Sequence, residues 1–311
     1  MSPIGSSQQP AGFLTQSAFT GLAQCASYAA PSLLALSGVS TQITAAQPIP
    51  DIVKVAFLIG AVLSLGSIIY SVVRVPELPL AETERVRIAA LPRGFGAALA
   101  EVGEAIREMP QAMRRLAVAM LCQWYAMFLY WQYVSLSVSH SLFGTTDAAD
   151  PAFITATLTA QKMGVAYNAV AFVGALALIP LVRRAGVIRI HAICLAASGA
   201  AMFAIATANG LPMLYLATLG IGIGWAGMMG NTYVMLASAI PPERTGVYMG
   251  IFNMFIVIPM LIETLTMPLI YEPLLGGDPS HALALGGALM ILGALATLRV
   301  RKASAVSAVT A

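Results

Sequence analysis

The apolar run from Gly246 to Tyr271 constrains the fold of this chain more than any other feature. It is longer than the about 20 residues that a helix needs to cross a bilayer, and it follows a short polar turn over residues 241–245. It also carries Asn253 and Glu263. Polar groups at such depth are costly and usually face a bundle interior or a water-filled path. The run therefore predicts a membrane-spanning helix whose polar residues point into protein or water.

The rest of the chain repeats this pattern. Only 9% of its residues are charged, whereas ordinary soluble domains carry roughly 25%, so the composition is typical of a membrane protein. Eight segments have spanning length, and the first is the most polar. They are 12–38, 50–73, 112–140, 157–182, 187–208, 211–239, 246–271 and 281–299. The predicted fold class is an all-α membrane protein.

The positive charges favour one orientation of these segments. With both termini in the cytoplasm, fourteen of the sixteen Lys and Arg residues lie in inner loops or at inner helix ends, and Lys54 and Lys162 are the exceptions. Such an excess is the positive-inside pattern of inserted membrane proteins. The longest connection, residues 74–111, contains a second helical pattern with one apolar face. It predicts either a helix on the inner leaflet or a rigid connector, with a separate regulatory role as the alternative.

Several motifs resemble one transporter family. Gly246-Val-Tyr-Met-Gly250, followed by Asn253 and Phe255-Ile-Val-Ile-Pro259, is similar to the eleventh helix of the sucrose/maltose proton symporters, the glycoside-type branch of the major facilitator superfamily. Two loops carry a similar resemblance, at 183–189 and 241–246. We take seven residues of these loops as motif positions for conformational change: Arg183, Arg184, Gly186, Arg189, Glu243, Arg244 and Gly246.

The resemblance implies a major facilitator type helix bundle, in which two six-helix halves are joined by a long cytoplasmic loop. Because two predicted helices precede the long connection and six follow it, the chain resembles helices five to twelve with the first four absent. Residues 1–73 then form the last two helices of the N-terminal half, 74–111 the linker, 112–302 the C-terminal half and 303–311 a cytoplasmic tail. A truncated product and a native eight-helix protein both fit. The implied location is the inner membrane.

The third segment holds the best candidates for substrate contact. Gln123, Trp124, Tyr130 and Trp131 share one helical face. Aromatic rings beside an amide suit a sugar, whose C–H faces stack on rings while its hydroxyl groups need hydrogen-bond partners. A helix–helix contact or an interfacial aromatic belt is the alternative interpretation.

Other polar residues inside apolar segments complete the predicted site: Tyr167, Asn168, Asn231, Asn253 and Glu263. For Glu263 the sequence leaves a protonatable relay, a hydroxyl acceptor and a solvated carboxyl in an outer vestibule open, and we favour the vestibule. Before Asn231, a face of Gly220, Gly224 and Gly227 predicts close helix packing. The acidic partner and preceding strand of a nucleotide loop are missing there.

These patterns together favour proton-coupled transport of a sugar such as a disaccharide. We expect no enzyme centre, no cofactor, no metal site and no nucleic-acid partner, with the proton as coupling ion and the lipid bilayer as surrounding. The alternative function is a non-transporting membrane scaffold or inactive fragment. If four helices are absent, the polar face of Gln123, Tyr130, Asn168, Asn231 and Asn253 should lack most of its cover. A missing N-terminal half or a second copy would then be a partner.

Overall fold

The computed structural model describes residues 9–40, 49, 51–76, 82–89, 94–147, 150–241 and 244–300. Within these ranges the regular structure is helical throughout, without a strand. The helices are α1 (Gln9–Leu36), α2 (Asp51–Arg74), α3 (Glu82–Ala89), α4 (Phe95–Arg107), α5 (Gln111–Phe143), α6 (Pro151–Ala185), α7 (Val187–Ala206), α8 (Leu211–Ala237), α9 (Thr245–Leu275) and α10 (Pro279–Leu298). Long helices are expected in hydrocarbon, where each backbone polar group needs a partner inside its own segment.

A helix covers each of the eight predicted segments, but they differ in polarity. Six stretches in the described part of the chain are long and apolar enough to cross a membrane: α2, Thr155–Ala185 of α6, α7, α8, α9 and α10. The segments 12–38 and 112–140 also fold as helices, α1 and α5. Both contain more polar residues, and α5 carries Arg114 and Arg115 near its start. Multiple membrane spans are therefore supported, while the count of eight stays a prediction.

The chain divides into two compact units, residues 1–26 with 104–311 and residues 27–103. In the smaller unit, α2 buries none of its residues, and large apolar side chains such as Phe57, Leu65 and Val72 are exposed. An apolar surface of this extent is unusual on a soluble monomer. It suits a helix surrounded by lipid hydrocarbon.

Small residues set the packing of α7 and α8 in the larger unit. A Cβ atom added to Gly220 would lie 2.5 Å from the carbonyl oxygen of Ala197, and one added to Gly227 would lie 2.7 Å from Cβ of Cys194. Gly224 approaches Ser198 in the same way. The predicted use of this glycine face for close packing is confirmed, because no larger side chain fits between the two backbones.

The first part of α1 belongs to the larger unit and packs on α8. Ser17 Oγ donates a hydrogen bond to the carbonyl oxygen of Ala226 at 3.0 Å, and the rings of Phe13 and Tyr233 stack with centroids 5.8 Å apart. On α6, the backbone of Asn168 lies so close to Gly21 that an added Cβ atom would be 3.1 Å from its carbonyl oxygen. This first part of α1 therefore covers α6 and α8 on the side where the candidate site forms.

Two of the helices, α6 and α10, begin with an aspartate N-cap. Asp150 precedes Pro151 at the start of α6, and its Oδ1 accepts a hydrogen bond from the Ala152 N–H at 2.8 Å. At the start of α10, Asp278 Oδ1 accepts from the Ser280 N–H at 2.7 Å. An aspartate before the first turn satisfies a backbone donor that has no partner within the helix.

Candidate functional site

All three tryptophans of the chain meet in one cluster between α5 and α8. The ring of Trp225 lies 5.4 Å from that of Trp131 and 5.9 Å from that of Trp124, both edge to face. Trp124 and Trp131 are 6.4 Å apart and tilted. These separations are in the range at which aromatic pairs attract each other. We call Trp124, Trp131 and Trp225 the tryptophan cluster.

Two of the three indole N–H groups are engaged. Trp225 Nε1 donates to Gln24 Oε1 of α1 at 2.6 Å, and Trp131 Nε1 donates to the Tyr167 hydroxyl of α6 at 3.4 Å. Trp124 Nε1 is buried and finds no hydrogen-bond partner among the described residues. Trp131 keeps a partly exposed surface, whereas Trp124 and Trp225 are buried. The cluster thus combines aromatic ring faces with one indole N–H, that of Trp124, which donates no hydrogen bond to the described residues.

Tyr130 and Tyr167 extend the cluster toward α6. Their rings pack edge to face with centroids 6.0 Å apart, and both side chains are almost fully buried. The structure therefore brings four of the predicted site residues together, namely Trp124, Tyr130, Trp131 and Tyr167.

Gln123 faces a different neighbour from the tryptophan cluster. Its Oε1 lies 3.0 Å from Nε2 of His191 on α7, and its Nε2 lies 3.0 Å from the sulfur of Met120. Both Gln123 and His191 are fully buried. This contact favours the helix-packing interpretation for Gln123.

The asparagines have unequal surroundings. Asn168 Nδ2 donates to the Gly164 carbonyl oxygen of its own helix at 2.9 Å, and its Oδ1 has no partner in the described chain. Neither side-chain polar atom of Asn231 has a partner there. Asn168 and Asn231 are both fully buried, whereas Asn253 is exposed. Unsatisfied buried amides are costly and are candidates for contact with water or a ligand.

The expectation of an uncovered polar face is wrong for most of that face. Gln123, Asn168 and Asn231 are fully buried, and Tyr130 is 2% exposed. The first part of α1 packs on α6 and α8, and α7 supplies His191 to Gln123. The part of the chain that the structure describes therefore covers these residues by itself, and only Asn253 is exposed as expected.

Glu263 lies on α9 and is fully buried. Its Oε2 accepts a hydrogen bond from Gln132 Nε2 of α5 at 2.8 Å. One turn further along α9, in the same contact between α5 and α9, the hydroxyl groups of Tyr125 and Thr266 are 2.7 Å apart. We call this contact between the two helices the seam. The preferred interpretation of Glu263 as a solvated vestibule carboxyl is therefore contradicted. The position of Glu263 in the sequence predicted its depth along α9, but it did not show that this side of α9 is covered by α5.

The loop motifs lie at helix ends. Arg183, Arg184 and Arg189 are exposed, and Gly186 joins α6 to α7 as a single residue at φ 85°. A side chain at this positive φ would be strained, which explains a glycine there. Gly246 is exposed in the first turn of α9, and Glu243 lies outside the described residues.

Arg244 at the start of α9 forms two ion pairs, one with Glu104 in the last turn of α4 and one with Glu108 just after that helix. Its Nη2 lies 3.2 Å from Glu104 Oε1 and its Nη1 lies 2.5 Å from Glu108 Oε2. The hydrogen bond to Glu104, followed by the charge of Glu108, raises the pKa of the guanidinium. The sequence identified Arg244 but not these partners.

Gln24, Gln132, His191 and Trp225 are contact residues that sequence reasoning missed. Helical periodicity gives the face on which each of them lies, but it does not pair the residue with a distant partner. The scarcity of tryptophan was the available signal for Trp225. Among the described residues, no group of three or more His, Cys, Asp or Glu side chains is placed to hold a metal ion.

The sequence itself shows the family. The sequence model of the Major Facilitator Superfamily matches residues 6–263, which is most of the chain. No curated protein matches the chain. The family consists of membrane transporters rather than enzymes, in agreement with the several apolar helices of spanning length. The chain therefore belongs to the major facilitator superfamily and is a multi-pass membrane transporter.

Proposed function

We propose that this transporter moves a sugar, with a disaccharide such as sucrose or maltose as the best candidate, by proton symport. The observation that carries the substrate class is the tryptophan cluster. Three indole rings at steep mutual angles present faces and edges in several directions. The C–H faces of a sugar ring stack on such surfaces.

Buried polar atoms without partners support the same substrate class. Trp124 Nε1, Asn168 Oδ1 and both polar atoms of Asn231 are buried without partners in the described chain. An unsatisfied buried donor or acceptor costs about 1–3 kcal/mol. Sugar hydroxyl groups both donate and accept, so a bound sugar relieves this cost when it reaches these atoms. Trp131, which is partly exposed, marks the side of entry.

Alternating access is the mechanism that we infer for this transport. Two groups of helices rock around a central site and open it to one side at a time. The hydrogen bonds from α8 to Gln24 and from α5 to Tyr167 place the tryptophan cluster where α1, α5, α6 and α8 meet. Movement between these helices would change the cluster and the exposure of its ligand together.

Tryptophan fluorescence offers a direct test of the substrate class. Because the chain has only three tryptophans and all belong to the cluster, its intrinsic emission reports on this site alone. We expect sucrose or maltose to change the emission of the purified chain in a saturable way. Trp124→Phe, which removes the unused indole donor, should weaken binding about fivefold, since one hydrogen bond to a ligand is worth roughly 1 kcal/mol.

The control for this experiment is Tyr215→Phe, which alters an exposed aromatic residue of α8. It should bind as the wild type does. If neither disaccharide alters the emission, the sugar proposal fails and the scaffold alternative gains support. Proton coupling is tested separately, by uptake of labelled sugar into vesicles with and without a pH gradient.

The inner membrane, with both termini in the cytoplasm, is the location that we propose. The distribution of Lys and Arg supports it. Reporter fusions or cysteine labelling should place residues 80–105 and 303–311 in the cytoplasm and residues 145–155 and 274–280 outside. A label from the opposite side at any of these positions would contradict the orientation.

The absence of four preceding helices stays a prediction. Its test is co-expression of the chain with helices one to four of a related symporter. Higher abundance and the appearance of sugar uptake in the pair would support it. Proton-coupled uptake by the purified 311-residue chain in liposomes would contradict it.

A further inference from the structure

Glu263 is the one buried acidic side chain in the part of the chain that the structure describes. It lies within α9, one of the helices of spanning length. Its two carboxyl oxygens differ: Oε2 accepts the hydrogen bond from Gln132 Nε2 at 2.8 Å, whereas Oε1 is buried and has no hydrogen-bond partner among the described residues. The carboxyl group is therefore half satisfied.

The surroundings of Glu263 contain no described cation. From α5 it is approached by Gln132, and the ionisable residues of that face are Tyr125 and Tyr133. α10 itself carries one ionisable side chain, His281, whose Nδ1 lies 2.8 Å from the Leu275 carbonyl oxygen. One turn from Glu263, Met267 packs with Leu129 and Ala282 in an apolar core. No ion pair with a described residue accounts for an acid here, and Gln132, its hydrogen-bond partner, is itself exposed.

A lone carboxylate in such surroundings carries a large desolvation cost, which binding a proton removes. The neutral acid also fits the geometry. Its carbonyl oxygen, Oε2, accepts from Gln132, and its hydroxyl group occupies Oε1, the oxygen without a partner. An amide donor beside the carboxyl group serves both protonation states, because a charged acceptor needs the donor even more.

We propose that Glu263 is a proton-binding site that couples proton entry to substrate binding, an inference that rests on the proposed symport. The step is a proton transfer alone: a proton from water bonds to Oε1 and later returns to water on the other side. The site lies between α5 and α9, so the proton acts on the contact of these two helices. Two hydrogen bonds define that contact, Gln132 to Glu263 and Tyr125 to Thr266.

The connection to the substrate runs through adjacent residues. Gln132 follows Trp131 directly on α5, and Trp131 belongs to the tryptophan cluster and contacts Tyr167. When Glu263 loses its proton, the charge strengthens its hold on Gln132 and draws water toward the seam. A shift of Gln132 moves Trp131 with it, because the two share one turn of α5. Proton release thereby weakens the sugar contact.

Infrared spectroscopy tests the proton without any sugar. We expect a carboxylic acid C=O band in the purified chain near neutral pH that disappears in Glu263→Gln and persists in Glu272→Gln, which alters an exposed acid of the same helix. Gln132→Leu should shift the frequency of the band without removing it, because a hydrogen bond to its oxygen is lost. A band that survives in Glu263→Gln, or no protonated carboxyl at all, overturns the proposal.

The pH dependence of sugar binding tests the coupling. If sugar binds the protonated form, the dissociation constant read from tryptophan emission should rise up to about tenfold per pH unit once Glu263 deprotonates. Glu272→Gln should keep this dependence and Glu263→Gln should abolish it. An unchanged slope in Glu263→Gln refutes the coupling. Absence of sugar binding at every pH refutes the proposed sugar function, while the infrared result still decides the proton site.

Discussion

The indole nitrogen of Trp225 lies 2.6 Å from Oε1 of Gln24, so α8 holds a residue of α1 that is about 200 positions away in the sequence. The same tryptophan contacts both tryptophans of α5 through its ring. One side chain thus joins the first helix to the ring surfaces of the candidate site. Any disturbance of α1 at this point reaches the tryptophan cluster directly.

The first prediction concerns this hydrogen bond. Gln24→Leu leaves the buried Trp225 N–H without its acceptor, which should lower the free energy of unfolding by about 1–3 kcal/mol. It should also alter the tryptophan emission of the folded protein. Thermal unfolding and fluorescence spectra in detergent measure the two effects. Gln16→Leu, an exposed position of the same helix, is the control, and an equal loss in both variants would contradict a specific role for Gln24.

The second prediction concerns the close approach of α7 and α8. Gly220→Ala places a Cβ atom against the Ala197 carbonyl oxygen and the Ala201 side chain. Because backbone must move to admit it, the free energy of unfolding should fall by about 1–3 kcal/mol. Gly250→Ala on α9 meets no atom within 4 Å and should be neutral or slightly stabilising. Equal melting temperatures for the two variants would show that the helices separate easily.

The third prediction concerns pH and the start of α10. Burial raises the pKa of Asp278. The effects that lower this pKa, led by the hydrogen bond from the Ser280 N–H and by the nearby His140, together exceed the effect of burial, so the net pKa lies below the ordinary value. A depressed pKa stabilises the folded state above the ordinary pKa, and this contribution disappears as the pH falls through the folded-state value. Asp278→Ala should therefore cost about 1 kcal/mol at neutral pH.

In strong acid the difference between Asp278→Ala and the wild type should become smaller. Melting temperatures measured from pH 7 downward check this trend. Glu101→Ala alters an exposed acid inside α4 and should show neither effect. A destabilisation by Asp278→Ala that grows as the pH falls would contradict the assignment.

The fourth prediction concerns Arg244. Its ion pairs with Glu104 and Glu108 are exposed, so their effect on the melting temperature should be small. Their local effect should be larger: Arg244→Gln should speed hydrogen exchange at residues 104–108, and high salt should do the same in the wild type. Arg183→Gln, at another exposed loop arginine, is the control. Unchanged exchange in Arg244→Gln would mean that the apolar contacts of Ala105 and Met109 hold this segment alone.

The sequence was sufficient for features that depend on local pattern. Apolar runs predicted helices that the structure contains, since spanning length and backbone hydrogen bonding allow little else. The glycine face of Gly220, Gly224 and Gly227 was predicted as a packing surface and is one. The shared face of Trp124, Tyr130 and Trp131 follows from helical periodicity alone.

Features that depend on distant contacts were beyond the sequence. Periodicity gives the face of a helix but not the neighbour that covers it, so the cover of Asn231 and Gln123 was missed. The depth of Glu263 along α9 was known, yet its burial depends on Gln132, which is 131 positions away. Trp225 lies in a glycine-rich stretch that was predicted to be a packing surface, so no site role was predicted for it, although its ring contacts the other two tryptophans.

The glycines of α8 have a consequence for how this transporter can evolve. α8 meets α7 through Gly220, Gly224 and Gly227, and it meets α6 through Gly222, where an added Cβ atom would collide with the Tyr167 carbonyl oxygen. Any substitution of these glycines adds at least a Cβ atom, for which the neighbouring helices leave no space. New substrate preferences are therefore more accessible through α5, which contributes side chains rather than bare backbone to the tryptophan cluster. During evolution, the α5 side of the site would therefore change while the α8 side stays the same.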